Sequence, residues 1–289
     1  MGVRLKNYRF FNQQICAPPK FAGFWQGWRI RVKTIWNNFN KYRFLLSELV
    51  KKDIKLKYRR SYLGILWTLI EPILTTVVLT LVFSGLYEKG DKTFPVYILT
   101  GRLMYTFFSN STKAASKSIR SNSAMIKKVY VPKYIYPLSS ILSNYITFLL
   151  SLVILVAATF VFHVPLTIYA FQIIVPLFLV LVLAMGFGLI LATMAVFFRD
   201  LEYLWGVVLM IMMYTSAIFY DIKDPEFAGI VWLLKINPLY DVIVNFRDAI
   251  FGNPLNPESL IIAAVYSFGT LFIGIFMFYK KQDKFILNI

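Results

Sequence analysis

The chain has 289 residues, of which 58% are apolar and only 16% are charged, and its mean hydropathy is +0.63. Soluble globular proteins carry about 25% charged residues, so this composition excludes most soluble enzymes and indicates a protein that folds in a lipid bilayer. Cys16 and His163 are the single cysteine and the single histidine. They exclude an intrachain disulfide framework and a histidine-rich metal centre, and we predict no metal site.

Six apolar runs follow one another along the chain. Crossing about 30 Å of hydrocarbon takes ~20 helical residues, and continuous apolar runs favour helices over the alternating strands of a barrel. We therefore predict an all-α integral membrane protein with six transmembrane helices, which lie within residues 63–87, 94–112, 138–162, 164–198, 204–220 and 259–279.

The positive charges lie almost entirely on one side of these runs. With a cytoplasmic N-terminus, 25 of the 31 lysines and arginines fall in inner segments, five fall in outer segments, and Arg102 lies within the second run. The inner segments are 1–62, 113–137, 199–203 and 280–289, and the outer segments are 88–93, 163–170 and 221–258. This asymmetry follows the positive-inside rule, so it explains the net charge of +17 without a nucleic-acid partner and predicts that both termini are cytoplasmic.

Residues 1–62 form a basic cytoplasmic and interfacial segment that precedes a transmembrane domain of residues 63–280. Its aromatic and apolar residues recur at helical spacing, at Trp25, Trp28, Val32, Ile35, Phe39, Tyr42 and Leu46. An aromatic face opposite a basic face is typical of an amphipathic helix in the membrane interface. A helix that packs against a partner helix is the alternative.

Lys57, Arg59 and Arg60 lie at the end of this segment, just before the first run. Such a cluster can anchor the chain on anionic membrane lipids. Alternatively, these side chains recognise a phosphate group of a substrate, since the arginine fork matches phosphate oxygens.

Two stretches between the runs carry further predictions. The inner loop 113–137 has six positive and no negative charges; we expect a short polar helix that Pro132 and Pro137 end, and a surface that docks a cytoplasmic partner. A loop that is merely solvated is the alternative. The outer segment 221–258 has two apolar stretches too short to span, so we predict a re-entrant helical hairpin, with a hairpin lying on the surface as the alternative.

Glu71 and Arg102 are the two charged residues within the runs. An ionisable residue at membrane depth is a functional candidate, although Glu71 next to Pro72 could also mark a helix kink. Ala184, Gly188 and Ala192 form a stripe of small residues, for which we predict close helix packing.

The sequence has no GxxxxGK[ST] phosphate-binding loop, no DxD pair and no HExxH motif. We therefore predict no catalytic residues. A transport subunit without an energy source of its own needs a partner that supplies energy, and the basic inner loops are where we expect that partner.

Five blocks of the sequence resemble, in order, successive parts of ABC-2 type permeases of the polysaccharide export family, which includes O-antigen and teichoic acid exporters. The blocks are KKDIKLKYRRSYLGILWTLIEP, FPVYILTG, MIKKVYVPKYIYPLSSIL, FFRDLEYL and NPLYDVIVNFRDAIFG. The resemblance covers residues 40–280. It implies a homodimeric permease of the bacterial cytoplasmic (inner) membrane that docks two ATPase subunits, which bind ATP and Mg. The implied cargo is a glycan linked to undecaprenyl pyrophosphate.

The resemblance also implies roles for particular residues. Residues 22–46 would form a cytoplasmic gate helix, 113–130 a coupling helix, and 229–251 the gate helices of the outer face. The channel would be lined by Trp67, Phe83, Arg102, Tyr105, Phe108, Tyr214 and Phe219. The ATPase contact would involve Ser118, Arg120, Met125, Lys127, Lys128, Arg199 and Asp200. The outer gate would involve Asn237, Pro238, Tyr240 and Arg247.

Arg102 departs from the family pattern, which places an apolar residue after the TG pair. It implies either a preference for an anionic glycan or a side chain that snorkels outward. Two other functions stay open: export of a drug, ion or lipid by the same fold, and a membrane enzyme that modifies lipid or glycan. The enzyme would need a catalytic constellation that the sequence does not display.

Overall fold

The computed structural model describes residues 24–59, 61–83, 92–128, 131–165, 167–219 and 231–285, with side chains from Lys41 onward and, in the last range, from Leu234 onward. The chain divides into two units, residues 1–45 and 46–289. The helices are α1 (Phe24–Tyr58), α2 (Trp67–Phe83), α3 (Phe94–Ser121), α4 (Ser123–Ile126), α5 (Ile135–Val161), α6 (Ile174–Phe197), α7 (Leu201–Tyr214), α8 (Val231–Ile236), α9 (Tyr240–Ile250) and α10 (Pro257–Lys281).

Each of the six predicted runs contains a helix among its described residues, and four of the described helices are long and apolar enough to cross a membrane. With their short flanking turns these four are Gly64–Phe83, Ile135–Val161, Ile168–Phe197 and Pro257–Lys284. The second run is helix α3, which is long but polar because it continues to Ser121, on the side that the charge asymmetry predicts to be cytoplasmic. This predicted side is the inner side, and the opposite side is the outer side. The fifth run, α7, ends at Tyr214 after 14 residues, or about 21 Å, which is short of the hydrocarbon thickness.

Two predicted boundaries are wrong for local reasons. The fourth run, residues 164–198, does not begin as an α-helix: residues Ile168–Ile173 form a 3₁₀ turn and α6 starts at Ile174. Pro137 does not end a helix but lies in the first turn of α5. Proline is tolerated there because the first N–H groups of a helix have no partner within the helix.

Residues 24–46 of the predicted gate helix belong to α1, which continues through the basic segment to Tyr58, and residues 22–23 lie outside the described residues. The side chains of its aromatic stripe before Lys41 lie outside the described residues. The last turns of α1 contact the bundle: Asp53 is near the Ser140 hydroxyl of α5, and burial raises its pKa above the ordinary value.

The core of the second unit is a bundle of α3, α5, α6 and α10 with an aromatic centre. Phe107 stacks on Phe148 with ring centroids 5.0 Å apart, and Phe108 packs edge-on against Phe187 at 5.5 Å. These rings, which are buried except for the half-buried Phe187, supply the dispersion contacts that hold α3 between α5 and α6.

Small residues let two pairs of helices approach closely. A Cβ at Gly186 would lie 2.6 Å from the backbone nitrogen of Leu271 on α10, and one at Gly274 would lie 2.7 Å from the Gly186 carbonyl oxygen. Gly188 faces Ala115 and Ile141 in the same way. The predicted packing role of the stripe around Gly188 is therefore confirmed, since Ala184 and Ala192 are also fully buried.

Candidate translocation and coupling sites

Helices α3 and α7 run antiparallel and are joined by polar contacts along their length. The Tyr105 hydroxyl donates to the carbonyl of Leu209 at 2.9 Å, and Trp205 Nε1 donates to the Thr112 hydroxyl at 3.0 Å. Both bonds are buried, and an unmade buried hydrogen bond costs more than the bond itself contributes, so the two helices hold one register.

Charged residues continue this register at the inner end. Arg120 Nη2 donates to Glu202 Oε1 at 2.6 Å, and Lys117 Nζ lies 3.4 Å from Glu202 Oε2. Glu202 is not among the coupling residues predicted from the sequence. The opposite charges at the inner ends of two adjacent helices were the signal that could have identified it.

The predicted coupling residues lie on two neighbouring stretches of this inner end. Met125, Lys127 and Lys128 are exposed on and just after α4, and Arg199 and Asp200 are exposed in the turn before α7. Ser118 is instead buried, and its hydroxyl donates to the Ala115 carbonyl at 2.7 Å. The basic surface is thus formed by α4 and the following residues.

The outer helices α8 and α9 are attached to the outer end of α7 through Asn237. Its Nδ2 donates to the Met212 carbonyl at 3.0 Å and to the Ser216 hydroxyl at 2.8 Å, while its Oδ1 accepts from the Leu239 N–H at 3.0 Å. Asparagine before Pro238 therefore forms the turn between α8 and α9 and ties it to α7. Tyr240 is buried beside this turn.

Arg247 is the central buried cation of the outer face. Its guanidinium donates to the carbonyls of Ala217 (2.8 Å), Tyr97 (3.3 Å) and Ile218 (3.4 Å), and its Nε donates to the Thr100 hydroxyl at 3.4 Å. The guanidinium carbon also lies 3.6 Å from the centroid of the Tyr97 ring. Arg247 thus joins α9, the start of α3 and the residues after α7.

Asp241 is a fully buried carboxylate one turn along α9 from Asn245. Neither of its oxygens has a well-formed hydrogen bond, and the same holds for Asn245 Oδ1. Burial raises the pKa of Asp241 to about 6, although the Ser259 hydroxyl and the Lys235 ammonium oppose the shift. The packing of α9 is therefore sensitive to pH near neutrality.

Replacing Asp241 with asparagine is expected to stabilise the protein by about 1–2 kcal/mol at pH 7.5 and to flatten its stability between pH 4 and 6. The folded-state pKa lies above the unfolded value, so the folded state binds the proton more tightly and stability declines as pH rises through this window. Thermal unfolding in detergent at several pH values measures the effect. Glu48→Gln, at an exposed carboxylate of α1 that pairs with Lys51, should leave the slope unchanged. An unchanged slope in Asp241→Asn would contradict the assignment.

The predicted channel-lining residues do not share one environment. Trp67 and Tyr214 are exposed, whereas Tyr105 and Phe108 are packed inside the bundle, with Phe108 fully enclosed. Phe83 stacks on Phe219 at 4.7 Å, next to Tyr214. The Phe187 and Trp205 rings cover the Phe108 ring, so Phe108 cannot line a channel in this conformation.

Residues from three predicted groups meet in a polar pocket that the sequence did not predict. Lys57 at the end of α1, Glu71 of α2 and Arg102 of α3 all line one cavity against α5. Glu71 and Arg102 form no ion pair within 4 Å in the described part of the chain. Arg59 is exposed outside the cavity, and Arg60 lies outside the described residues.

A helical bundle with several membrane-crossing helices, polar contacts joining its inner and outer ends, and a basic inner surface defines a membrane transport subunit. Its sequence matches the ABC-2 type transporter family over residues 45–251, and the chain belongs to that family. It is a multi-pass membrane permease subunit without catalytic function of its own, and the ATPase with which such permeases pair is a separate subunit.

Three relatives cover nearly the whole chain. An O-antigen export system permease protein (RfbA) of Klebsiella pneumoniae is 26% identical over 83% of this chain and 93% of the relative. One from Myxococcus xanthus is 27% identical, with 86% and 96% covered. The polysialic acid transport protein KpsM of Escherichia coli is 22% identical, with 87% and 99% covered.

Proposed function

We propose that the chain is the permease subunit of an exporter of lipid-linked cell-surface polysaccharide. The observation that carries this proposal is the similarity, over more than four fifths of the chain, to permeases named for O-antigen and polysialic acid export. A capsule polysaccharide export inner-membrane protein of Neisseria meningitidis is also similar, at 24% identity, and supports a place in the bacterial inner membrane.

The working assembly in this proposal is a homodimer with two cytoplasmic ATPase subunits, which bind ATP and Mg. Six segments cross the membrane, among them α3 and α7 with the residues 215–219 that follow α7, and both termini are cytoplasmic. The cargo is a glycan on undecaprenyl pyrophosphate. Exposed aromatic side chains such as Trp67 and Tyr214, together with Phe83 and Phe219, suit a channel for sugar rings, since the apolar faces of sugars pack on aromatic rings.

Three further sites belong to the proposed exporter: an ATPase contact, an outer gate and a pyrophosphate-binding cluster. The exposed residues Met125, Lys127, Lys128, Arg199 and Asp200 dock the ATPase. Asn237, Pro238, Tyr240 and Arg247 hold an outer gate of α8 and α9, which enters the outer leaflet as a re-entrant hairpin. Lys57, Arg59 and Arg60 meet the pyrophosphate at the cytoplasmic side.

Deleting the gene tests the proposed function directly. We expect loss of a surface glycan, measured by immunoblotting or by sugar analysis of the cell envelope, and restoration by a plasmid copy. Affinity purification of the tagged chain should recover an ABC ATPase. Intact surface glycan, or export of only a drug or simple lipid, would contradict the cargo; the absence of any co-purifying ATPase would contradict the assembly.

The Glu202 ion pairs predict how movement passes from the ATPase to the channel. Glu202→Gln should lower export several-fold while the ATPase still co-purifies, because α3 and α7 lose the contact that joins their inner ends. The charge-exchanged pair Arg120→Glu with Glu202→Arg should recover part of the loss. Glu48→Gln, which breaks only an exposed pair with Lys51, is the matched control and should be neutral. Normal export by Glu202→Gln would refute the coupling role.

A further inference from the structure

Helices α2, α3 and α5 present polar side chains to the same pocket. On α3 the polar residues recur every fourth position, as Arg102, Thr106 and Asn110, and on α5 Asn144 and Thr147 face them. Such residues in a membrane protein face a bundle interior or a water-filled cavity, because polar groups in hydrocarbon are costly. Asn110 is exposed, and an amide side chain is costly to place in hydrocarbon, so we expect this side of the pocket to face a polar space.

Arg102 enters this pocket without a strong acceptor. Its Nη1 lies 3.6 Å from the Met213 sulfur and its guanidinium carbon lies 6.0 Å from the Tyr105 ring centroid. Among the described residues Arg102 has no oxygen acceptor, although a guanidinium offers five N–H donors. An arginine held in this pocket by a sulfur and a ring therefore has donors available for a ligand.

Lys57 supplies a second positive charge to the same pocket. Burial lowers its pKa, and the Glu71 carboxylate partly offsets this effect. Two cations and one carboxylate leave a net positive charge, so the pocket attracts an anion. The cavity volume is about 60 Å³, room for a few water molecules or for one small oxyanion.

We propose that this pocket binds a phosphate group of the lipid-linked cargo through the Arg102 guanidinium and the Lys57 ammonium. Arginine binds phosphate oxygens through paired N–H donors, and lysine adds a point charge. While the pocket is empty, the Glu71 carboxylate balances the charge of the Lys57 ammonium. A phosphate group that enters the pocket takes over this role from Glu71. This inference rests on the proposed function: it keeps Lys57 of the cluster proposed to meet the pyrophosphate and adds Arg102 inside the pocket.

Thiol labelling of the pocket tests the proposal. The natural cysteine is replaced (Cys16→Ser) and Asn110→Cys is introduced into the full chain, purified with its ATPase in phosphatidylcholine nanodiscs. A cationic methanethiosulfonate reagent should label Cys at this position, and undecaprenyl pyrophosphate should slow labelling at least five-fold. Arg102→Gln and Lys57→Gln should each abolish the protection, while Arg102→Lys retains part of it. The Glu71→Gln variant should reach the same protection at a lower concentration of undecaprenyl pyrophosphate.

Two controls separate the alternatives. Lys113→Gln removes an exposed lysine one turn further along α3, outside the pocket, and should leave protection intact. Nanodiscs of phosphatidylglycerol test whether a phospholipid headgroup is the source of the phosphate. If phosphatidylglycerol slows labelling and Arg102→Gln restores the fast rate, a phospholipid occupies the pocket and the cargo assignment is overturned. If neither undecaprenyl pyrophosphate nor phosphatidylglycerol changes the labelling rate, the site itself is overturned. Monodisperse size-exclusion profiles of all variants establish that they fold.

The labelling experiment and the gene deletion test two different assignments, and either one can fail without the other. If deletion removes the surface glycan but pyrophosphate gives no protection, the pocket assignment fails and the exporter assignment stands. If deletion leaves the glycan intact, the exporter assignment fails whatever the labelling shows.

Discussion

Replacing Arg247 with alanine is expected to destabilise the protein by about 3 kcal/mol or more. The change removes four donated hydrogen bonds, among them those to the buried Ala217 and Ile218 carbonyls, and leaves only the longer bond from the Tyr97 hydroxyl (3.3 Å) on the Ala217 carbonyl. It also removes the guanidinium from the Tyr97 ring, a contact that strengthens when water is excluded. Thermal unfolding of the detergent-solubilised protein, followed by tryptophan fluorescence, measures the loss.

Gly101→Ala tests the same site from the opposite side. A Cβ at Gly101 would lie 2.7 Å from Arg247 Nη2, so it should displace the guanidinium and cause a smaller loss of the same kind. Lys280→Ala, at an exposed cation of α10, is the control and should change stability by less than about 0.5 kcal/mol. A neutral Arg247→Ala variant would show that the outer helices do not depend on this cation.

Replacing Gly186 with alanine is expected to cost about 2–3 kcal/mol, because the added methyl group meets the backbone of α10 and cannot be accommodated by a side-chain movement. The closest atoms are the Leu271 nitrogen and the Thr270 carbonyl carbon, both at 2.6 Å. The two helices must separate, which also strains the hydrogen bond from Ser267 Oγ to the Leu179 carbonyl. The yield of monodisperse protein and its unfolding temperature should both fall.

Two other glycines provide matched controls for this prediction. A Cβ at Gly269 on α10 or at Gly206 on α7 would meet no atom within 4 Å. Alanine is the better helix former by up to about 1 kcal/mol, so both variants should be neutral or slightly more stable. If Gly186→Ala behaves like them, the close approach of α6 and α10 is not required for stability.

The polar contacts between α3 and α7 relate the inner surface to the outer helices. At the inner end, Arg120 of α3 pairs with Glu202 of α7, and further along the same two helices Thr112 accepts a hydrogen bond from Trp205. At the outer end, Asn237 of the turn between α8 and α9 donates to the Met212 carbonyl of α7. A movement of the inner turn is therefore expected to reach α8 and α9 without passing through the lipid-facing helices. The Glu202 and Arg247 variants examine the two ends of this path.

The amino-acid sequence by itself determined the helical character, the order of the apolar segments and the basic side of the protein, because these depend on runs of residues and not on distant contacts. It also contained the family blocks, such as NPLYDVIVNFRDAIFG, and the small-residue stripe at Gly188. The tertiary structure alone decided where α7 ends and that Glu202 pairs with Arg120. It also decided that Arg247 bonds to carbonyls of Ala217 and Tyr97, and that Lys57 and Arg102 share a pocket. Those features depend on the register and rotation of one helix against another, which side-chain packing determines and no local pattern records.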